Sequence, residues 1–413
     1  RILSPAELAD HYVRPDNATS DTILNAFDES TDPASVRYLV AGARGSGKTT
    51  ELLRVFAQTS GAGQLRPVTP IYVDLAPVLP ERADTRTWIP LIAAALHAEH
   101  QAWKPTLPTS SLPAGPRSLS SERWKRLLEF IPSITRSIKV LLPDAGTFAD
   151  ALEALRALTR DIAQEPSDNE SLDSQLRSMR EDAEGIREAS GRPPALLLDG
   201  FDKRTTVDGV LEALNEADVL LQLPVAMVLS GPMELSLDPR FAAHLIPGRF
   251  RDLVQHNLPV VTPSGDPDPR GVGILRSLFE RRWEAHTRSG PVVLPPHLVE
   301  EAARWSSGIV REFLAIVHLA AQKTRRAALD QATPTQLAEA VQDRRRDYER
   351  AISSDLWDEL AKILRTRERP RANVDELLYT NRIACYPNGG VWFRPHELLI
   401  PHLQDRAVTR AAP

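Results

Sequence analysis

The sequence predicts an α/β fold in which a parallel β-sheet is sandwiched by helices, followed by a helical unit and a small C-terminal unit. Three observations predict this fold. A glycine-rich motif stands at 42–49, an apolar run ending in aspartate stands at 195–199, and helical spacing dominates after residue 266. We therefore expect a phosphate-loop core with N-terminal helices at 1–265, a helical unit at 266–332 and a third unit at 333–413.

Composition is that of an ordinary soluble globular chain. The 413 residues have 42% hydrophobic and 25% charged content, with a formal net charge of -5. A negative chain has no global basic field to recruit nucleic acid, although a local basic face remains open. The single cysteine, Cys385, excludes an intrachain disulfide and fits a reducing, cytoplasmic setting. No stretch is apolar enough to span a bilayer, and we expect no membrane partner.

The glycine-rich motif reads Gly42-Ala43-Arg44-Gly45-Ser46-Gly47-Lys48-Thr49 and fits the phosphate-binding P-loop pattern. The run at 36–41 before it has the composition of a short strand, and 51–57 after it has helical spacing. Glycines let successive backbone N–H groups converge on an anion, and the helix adds the positive end of its dipole. A strand and a helix in these flanks argue against a chance match.

The motif predicts a site for ATP and Mg²⁺. We expect Lys48 to reach the β- and γ-phosphates and the Thr49 hydroxyl to bind Mg²⁺. The predicted nucleotide-binding residues are Gly42, Gly45, Ser46, Gly47, Lys48, Thr49 and Thr50.

Elements on either side of the motif extend the core. Short helices are expected at 5–12 and 21–27, a second strand at 68–75 and a helix from Trp88 to Trp103. The stretch 104–122 is rich in Pro and Ser and predicts a loop or insertion.

The run Ala195-Leu196-Leu197-Leu198-Asp199 predicts a strand buried on both faces. The carboxyl end of such a strand opens on the ligand crevice, so Asp199 is expected to hold Mg²⁺ through water, opposite Thr49. Asp202 follows three residues later and is the candidate carboxylate for polarising water.

A further strand is predicted at 224–230, with Ser230 at its carboxyl end. Ser230 then either orients the attacking water or contacts the γ-phosphate, or it simply begins a Ser-Gly-Pro turn. We expect a last strand at 258–261, a helix at 271–287, a long helical region at 298–327 interrupted near 306–308, and a helix from 334 through Tyr348.

With these motifs in place, the chain resembles the AAA+ and STAND branch of P-loop ATPases. The segment 238–250 resembles the part of AAA+ proteins where an arginine finger often lies, with Arg249 as the nearest match and Arg251 as the alternative. A finger acts on the neighbouring subunit's nucleotide and would imply assembly. Gly308 followed three residues later by Arg311 resembles the sensor-2 region of a helical lid, which the resemblance places at 266–332.

The C-terminal unit resembles a winged-helix domain of the kind that follows the lid in origin-recognition-like and STAND ATPases, because 377–393 predicts helix, strand, turn and strand. One departure concerns Gly200, which stands where AAA+ enzymes usually place a glutamate that activates water. The Asp-Gly-Phe-Asp string resembles the STAND form instead, and we expect slow hydrolysis with a switch-like role. By the resemblance, Asp202, Ser230, Arg249 and Arg311 are the catalytic candidates.

Two functions fit these expectations. The first is a regulatory ATPase switch that couples nucleotide state to self-assembly or recruitment of a protein partner, as bacterial relatives do in signalling or phage defence. The second is a DNA-binding AAA+ ATPase of origin-recognition or transposition-helper type. Phosphate contacts would then come from Arg344, Arg345, Arg346, Arg365, Arg367, Arg369 and Arg371, against which stand interleaved acids and the negative net charge.

Overall fold

A computed structural model describes residues 12–15, 18–60, 66–75, 85–103, 169–204, 208–211, 217–241, 249–286, 293–350, 352–370 and 374–411. The expected helix at 5–12 and the expected loop at 104–122 lie outside these ranges, apart from Tyr12, which belongs to neither a helix nor a strand.

Five parallel strands form the central sheet, which confirms the predicted fold class. They are β1 (Arg37–Gly42), β2 (Thr69–Asp74), β3 (Pro194–Asp199), β4 (Ala226–Pro232) and β5 (Arg251–Gln255), in the spatial order β2-β3-β4-β1-β5. All pairs are parallel, so the carboxyl ends of the strands lie at one edge of the sheet. The P-loop follows β1, which is flanked by β4 and β5, so the site lies at the interior of that edge.

Helices cover both faces of the sheet. The core helices are α1 (Thr19–Glu29), α2 (Lys48–Ser60), α3 (Thr85–Trp103), α4 (Asn169–Ser190), the short α5 (Phe201–Arg204) and α6 (Met233–Leu237). Alternate residues of each strand face opposite sides, as the two-residue period of a strand requires. Leu39 and Leu198 pack with α3 and α4 on one face, whereas Val40 and Leu197 pack with α1 and α2 on the other. Both faces are apolar, as expected for a parallel sheet.

The last strand of the sheet was predicted in the wrong place. Residues 258–261 form no strand of the sheet, and only Val261 makes an isolated bridge, to Pro267. The edge strand is β5, a mixed polar and apolar sequence that is only partly buried. The apolar residues Val260 and Val261 instead pack into the cluster of the following helices.

Three helices follow the sheet where the sequence predicts them. They are α7 (Pro269–His286), α8 (Pro296–Trp305) and α9 (Val310–Arg326), with the predicted interruption between α8 and α9. Gly308 occupies that interruption with φ +73°, a left-handed conformation that favours glycine. We refer to α7, α8 and α9 as the lid.

The C-terminal part contains α10 (Pro334–Glu349), α11 (Ser354–Thr366), α12 (Val374–Tyr379), a two-stranded antiparallel hairpin of β6 (Ile383–Tyr386) and β7 (Trp392–Pro395), and α13 (Ile400–Ala411). The helix–strand–turn–strand order expected at 377–393 is thus confirmed. Helix α10 shares the hydrophobic cluster of the lid, and so do Tyr386 and Trp392 of the hairpin. The hairpin is therefore packed against the lid along its aromatic face rather than standing free.

Candidate nucleotide site

The P-loop adopts the conformation that its glycines permit. Strand β1 ends at Gly42 and helix α2 begins at Lys48. Between them Gly45 has φ +82° and Gly47 has φ +106°, both in the region that favours glycine. A Cβ added to Gly45 would lie 2.7 Å from the Cβ of Arg311, so glycine is also required here by close packing.

Lys48 is buried and pairs with Asp202. Its Nζ lies 2.6 Å from Asp202 Oδ2 and donates to the carbonyl oxygens of Gly42, at 2.6 Å, and Ala43, at 3.0 Å. The second carboxylate oxygen of Asp202 is buried and has no hydrogen-bond partner among the described residues. A buried charge is tolerated only when it is paired, so the lysine and the aspartate depend on one another.

Asp199 is the centre of a second polar cluster. Thr49 Oγ1 donates to Asp199 Oδ2 at 2.7 Å, and Tyr72 OH donates to the same oxygen at 2.9 Å. Ser230 Oγ donates to Asp199 Oδ1 at 2.6 Å. Burial, and then the neighbouring Asp199 charge, raise the pKa of Tyr72 well above its usual range, so the phenol stays a donor. The predicted Thr49–Asp199 pair is thereby brought together.

The structure corrects the predicted end of the strand that contains Ser230. Strand β4 continues to Pro232, so Ser230 lies inside the strand and does not begin a turn. Its hydroxyl also accepts a hydrogen bond from the N–H of Gly200 at 3.0 Å. Because it donates to Asp199 and is fully buried, Ser230 holds the aspartate in place.

Gly200, which departs from the AAA+ pattern, follows Asp199 directly. Its φ is +106°, a backbone conformation that side chains rarely adopt. This turn carries the chain from β3 into α5 and brings the Asp202 carboxylate back to Lys48. The carboxylate next to the loop is therefore Asp202, as the sequence suggested, and glycine at 200 is what permits it.

Gln255 was missed by the sequence analysis. It ends β5 directly opposite Gly42 in the strand register, and its Nε2 donates to the carbonyl of Ser46 at 3.0 Å. Gln255 Oε1 and Ser46 Oγ are buried and lack a hydrogen-bond partner within the described ranges. Together with Oδ1 of Asp202, which also lacks a partner, they are buried polar atoms around the P-loop without a hydrogen bond to the described residues. Such atoms fit a polar ligand at this position.

The lid contacts the P-loop through Arg311. The backbone N–H of Arg311 donates to the carbonyl of Gly45 at 3.4 Å, in the first turn of α9. Its side chain is exposed rather than buried. The structure thus brings the sensor-2 candidate to the loop, as the pattern Gly308…Arg311 suggested. Its action on phosphate stays a prediction.

Arg249 and Arg251 lie at the other end of the sheet. Arg251 begins β5 opposite Tyr38, whereas Gln255 ends it opposite Gly42. Four residues of strand separate these positions by about 13 Å, and Arg249 precedes Arg251. Neither arginine is brought to the P-loop of its own chain, so a role as a finger would require a neighbouring molecule.

A cleft of about 310 Å³ adjoins the P-loop. Its lining includes Tyr12, Val13, Pro15 and Thr19, ahead of and at the start of α1. Ser46, Gly47 and Thr50 line it from the P-loop and the start of α2, and Leu258, Ile274 and Leu278 are among its apolar residues. A pocket that joins apolar residues to a P-loop has the size and lining that suit a nucleotide.

The C-terminal part also contacts the P-loop. The Arg44 guanidinium lies 3.6 Å from the ring centroid of Tyr379, and Arg44 Nε donates to the carbonyl of Asp202 at 3.0 Å. Asn381 Nδ2 donates to the carbonyl of Arg44 at 3.1 Å. Arg44 therefore links the loop, the Asp202 turn and the end of α12.

Several arginines considered for DNA contacts are engaged within the chain. Arg344 makes two hydrogen bonds to Glu312, at 2.7 and 2.8 Å. Burial raises the pKa of Glu312, but the hydrogen bond and charge of Arg344, together with His396 and Tyr348, lower it by more, so the net pKa is lowered. Arg345 donates to the carbonyl of Leu398 at 3.1 Å and lies over the ring of Trp305.

The remaining arginines of that set differ in exposure. Arg346 is exposed, and its guanidinium lies 3.5 Å from the Asp343 carboxylate. Arg369 donates to the backbone carbonyl of Leu237, the last residue of helix α6. Arg365 is exposed, Arg367 is partly buried and Arg371 lies outside the described residues. Within the described positions of this set, Arg344, Arg345 and Arg369 thus donate to groups of the chain itself.

Two features are absent from the described residues. No group of three or more His, Cys, Asp or Glu side chains suited to a metal ion occurs in the described parts of the chain. Within the same ranges, no helix is both long and apolar enough to cross a bilayer. A pair such as Thr49 and Asp199 still suits Mg²⁺, which is usually held by one or two carboxylates together with substrate phosphates and waters.

No family model matches the chain, and no curated protein matches it. Solved structures with a similar chain path include the ORC1 protein of Aeropyrum pernix in complex with DNA, which is 15% identical with a TM-score of 0.40 over 98% of each chain. The ORC2 protein of the same organism, in ADPNP–ADP complexes, is 12% identical with a TM-score of 0.41 over 97% of this chain and 98% of that one. Cdc6p from Pyrobaculum aerophilum is 14% identical with a TM-score of 0.42 over 98% of this chain and 99% of its own.

Proposed function

We propose that the chain is an ATP-binding switch ATPase that couples nucleotide state to the placement of its C-terminal part, and through it to self-assembly or recruitment of a protein partner. The observation that carries the proposal is the pairing of the P-loop with the end of β3. Lys48 contacts Asp202, and Thr49 contacts Asp199, at the carboxyl edge of a parallel sheet. These are the residue types that phosphoryl-transfer sites use for phosphate and Mg²⁺.

Each residue has a defined task in this proposal. Thr49 and Asp199 offer oxygen ligands for Mg²⁺, which when bound neutralises phosphate charge and orients the γ-phosphate. Ser230 and Tyr72 hold Asp199 through hydrogen bonds to its two oxygens. The N–H groups of the P-loop and the Lys48 ammonium bind phosphate oxygens.

Asp202 is the base candidate, and its ion pair with Lys48 suggests the switching step. Lys48 has three contacts, to Gly42 O, Ala43 O and Asp202, and we infer that phosphate replaces the contact with Asp202. That exchange frees the carboxylate to accept a proton from water, and it also changes the contacts of the turn whose carbonyl accepts from Arg44. Since Arg44 stacks on Tyr379, a change at this turn acts on the C-terminal part. A switch of this kind needs ligand contacts that differ between two states.

Calorimetry with Mg²⁺ and ATP tests the proposal. Lys48→Ala should lose a charge-assisted contact of about 1.5–3 kcal/mol, or roughly ten- to a hundredfold in affinity. Lys362→Ala is the matched control, because Lys362 lies on α11 and pairs with Glu359. Unchanged ATP affinity in folded Lys48→Ala would overturn the nucleotide assignment.

Lys48→Ala leaves the Asp202 carboxylate buried without its partner, so a fold-preserving companion is needed. The double variant Lys48→Met with Asp202→Asn removes both charges together.

A gel-shift titration with DNA at low salt, with ATP present, distinguishes the DNA-binding alternative from the switch. Salt-dependent DNA binding would favour that alternative over the switch.

A further inference from the structure

We propose that Glu51 is a positioning residue that sets the base end of the nucleotide site, so that the cleft prefers base-bearing nucleotides to bare polyphosphate. It acts by holding residues 12–15 and 18–20, which we call the strap, against helix α2. The inference rests on the proposed function, because it assumes that the cleft takes a nucleotide.

Glu51 lies in the first turns of α2, two residues after Thr49, and its side chain is 3% exposed. Its Oε1 accepts from Tyr12 OH at 2.9 Å. Its Oε2 accepts from the backbone N–H of Ser20 at 3.0 Å and from Ser20 Oγ at 2.5 Å. Both carboxylate oxygens are thus used by the strap, and the carboxylate holds the two ends of that segment together.

Arg54 completes the cluster one turn further along α2. Its NH1 lies 2.8 Å from Ser20 Oγ, 3.2 Å from Tyr12 OH and 2.9 Å from Asp21 Oδ1. The guanidinium also lies 4.8 Å from the centroid of the Tyr12 ring. The positive charge beside Glu51 offsets the cost of burying its carboxylate. The pKa of Tyr12 is raised, mainly by burial and then by Glu51, so its hydroxyl remains a donor.

The strap is also tied to the lid. Arg281 of α7 donates from NH1 to the backbone carbonyl of Tyr12 at 2.6 Å. Tyr12, Val13, Pro15 and Thr19 line the cleft together with lid residues such as Ile274 and Leu278. Apolar side chains of this kind offer a flat aromatic base a surface to pack against. The strap therefore contacts both helix α2 of the core and helix α7 of the lid.

A single helix consequently positions two parts of the site. In the proposed site, Lys48 and Thr49 at the start of α2 bind the phosphates and Mg²⁺, and Glu51 holds the strap that contacts the base. Loss of the Glu51 carboxylate should leave the phosphate contacts intact while the strap loosens. This separation gives a readout that a general loss of stability would not produce.

The test compares ATP with inorganic tripolyphosphate, each with Mg²⁺, by calorimetry on the full chain. Glu51→Gln keeps the size of the side chain but turns an amide donor toward donors of Tyr12 or Ser20. We expect about a tenfold loss of ATP affinity with less than a twofold change for tripolyphosphate. Tyr12→Phe should give a smaller loss of the same kind, and the two changes combined should be less than additive because they share one contact.

Asp182→Asn is the matched control. Asp182 is a buried carboxylate on α4 that pairs with His97 and His100, at a distance from the cleft residues. It should leave the affinity ratio of ATP to tripolyphosphate unchanged. If Glu51→Gln fails to fold, Tyr12→Phe and Ser20→Ala carry the same comparison.

The outcomes separate this inference from the proposed function. Equal loss for both ligands in Glu51→Gln, or no loss for either, would overturn the positioning role while leaving the nucleotide site standing. Failure of the wild-type chain to bind either ligand would overturn the proposed function itself, and the inference with it.

Discussion

Replacing Gly308 by alanine should uncouple the lid from the core. Gly308 has φ +73°, and a Cβ there would lie 1.9 Å from the carbonyl oxygen of Leu258 and 2.8 Å from its carbonyl carbon. The obstacle is backbone, so no rotamer change relieves it. In addition, Gly308 O accepts the N–H of Leu258 at 3.2 Å, and any shift weakens that bond. Left-handed strain costs about 1–2 kcal/mol and overpacking about 1–3 kcal/mol, for a total of about 2–5 kcal/mol.

Two other glycines allow the strain and the clash to be measured separately. Gly191 has φ +71° but nothing within 4 Å of an added Cβ, so Gly191→Ala should show the strain alone, about 1 kcal/mol. Gly273 lies inside α7 with open space and no positive φ, so Gly273→Ala should stabilise the helix by about 0.5–1 kcal/mol. Urea unfolding of the three variants measures these free energies.

The same variants also report on the site. Gly308 precedes Arg311 by three residues, and Arg311 binds the carbonyl of Gly45, so Gly308→Ala should lower ATP affinity as well as stability. Gly191→Ala should leave affinity unchanged. If Gly308→Ala unfolds at the same urea concentration as Gly191→Ala, the close contact with Leu258 does not hold the lid, and the reasoning is wrong.

Three more changes test individual residues. Arg311→Ala should weaken ATP binding less than Lys48→Ala does, yet remove most ATP-induced compaction in small-angle scattering; full compaction would make Arg311 an ordinary lid arginine. Asp202→Asn should lower turnover in a phosphate-release assay while ATP binding stays the same or tightens, because Lys48 loses its internal partner; wild-type turnover would remove Asp202 as the base. Burial raises the pKa of Asp252 to about 6, so ionisation of Asp252 destabilises the fold increasingly above about pH 4 and fully above about pH 6. In urea unfolding at pH 7.5, Asp252→Asn should therefore stabilise the chain by about 1 kcal/mol, a figure reduced for the partial exposure of the side chain. The gain in stability should decline as the pH falls through 6 and be lost below about pH 4. A gain that does not depend on pH would contradict the assignment.

The parts of the site that can be predicted from the sequence are those specified by a few adjacent residues. The P-loop pattern and the apolar run ending at Asp199 each specify a strand end through a few adjacent residues, and parallel pairing then brings them together. The positions of Asp202 and Arg311 near the P-loop follow similarly from short spacings, to Asp199 and to Gly308. Their side-chain partners could not be predicted in this way.

The residues that were missed act across long sequence separations. Gln255 meets Ser46 only because β5 lies next to β1, and Tyr72 meets Asp199 only because β2 lies next to β3. No local pattern encodes either contact. The misplaced last strand has a different cause: Leu258-Pro259-Val260-Val261 is more apolar than the true strand, but it packs into the lid cluster, whereas an edge strand tolerates polar residues.

Helix α4 was also not predicted, although its signal was present. Leu176, Met179, Ala183 and Ile186 recur at three- and four-residue intervals and face the core. The surrounding charged residues lower the average hydropathy, and the apolar stripe is narrow. Periodicity rather than composition was the informative property of this segment.

The stacking of Arg44 on Tyr379 has a thermodynamic consequence for whatever binds the C-terminal part. Two binding equilibria that share one contact must influence each other equally: the factor by which a partner changes nucleotide affinity is the factor by which nucleotide changes partner affinity. Tyr379 is 44% exposed, so a partner can reach the same ring that holds the P-loop arginine. In the site we propose, a protein that takes Tyr379 for its own interface would therefore change the affinity for nucleotide without touching it.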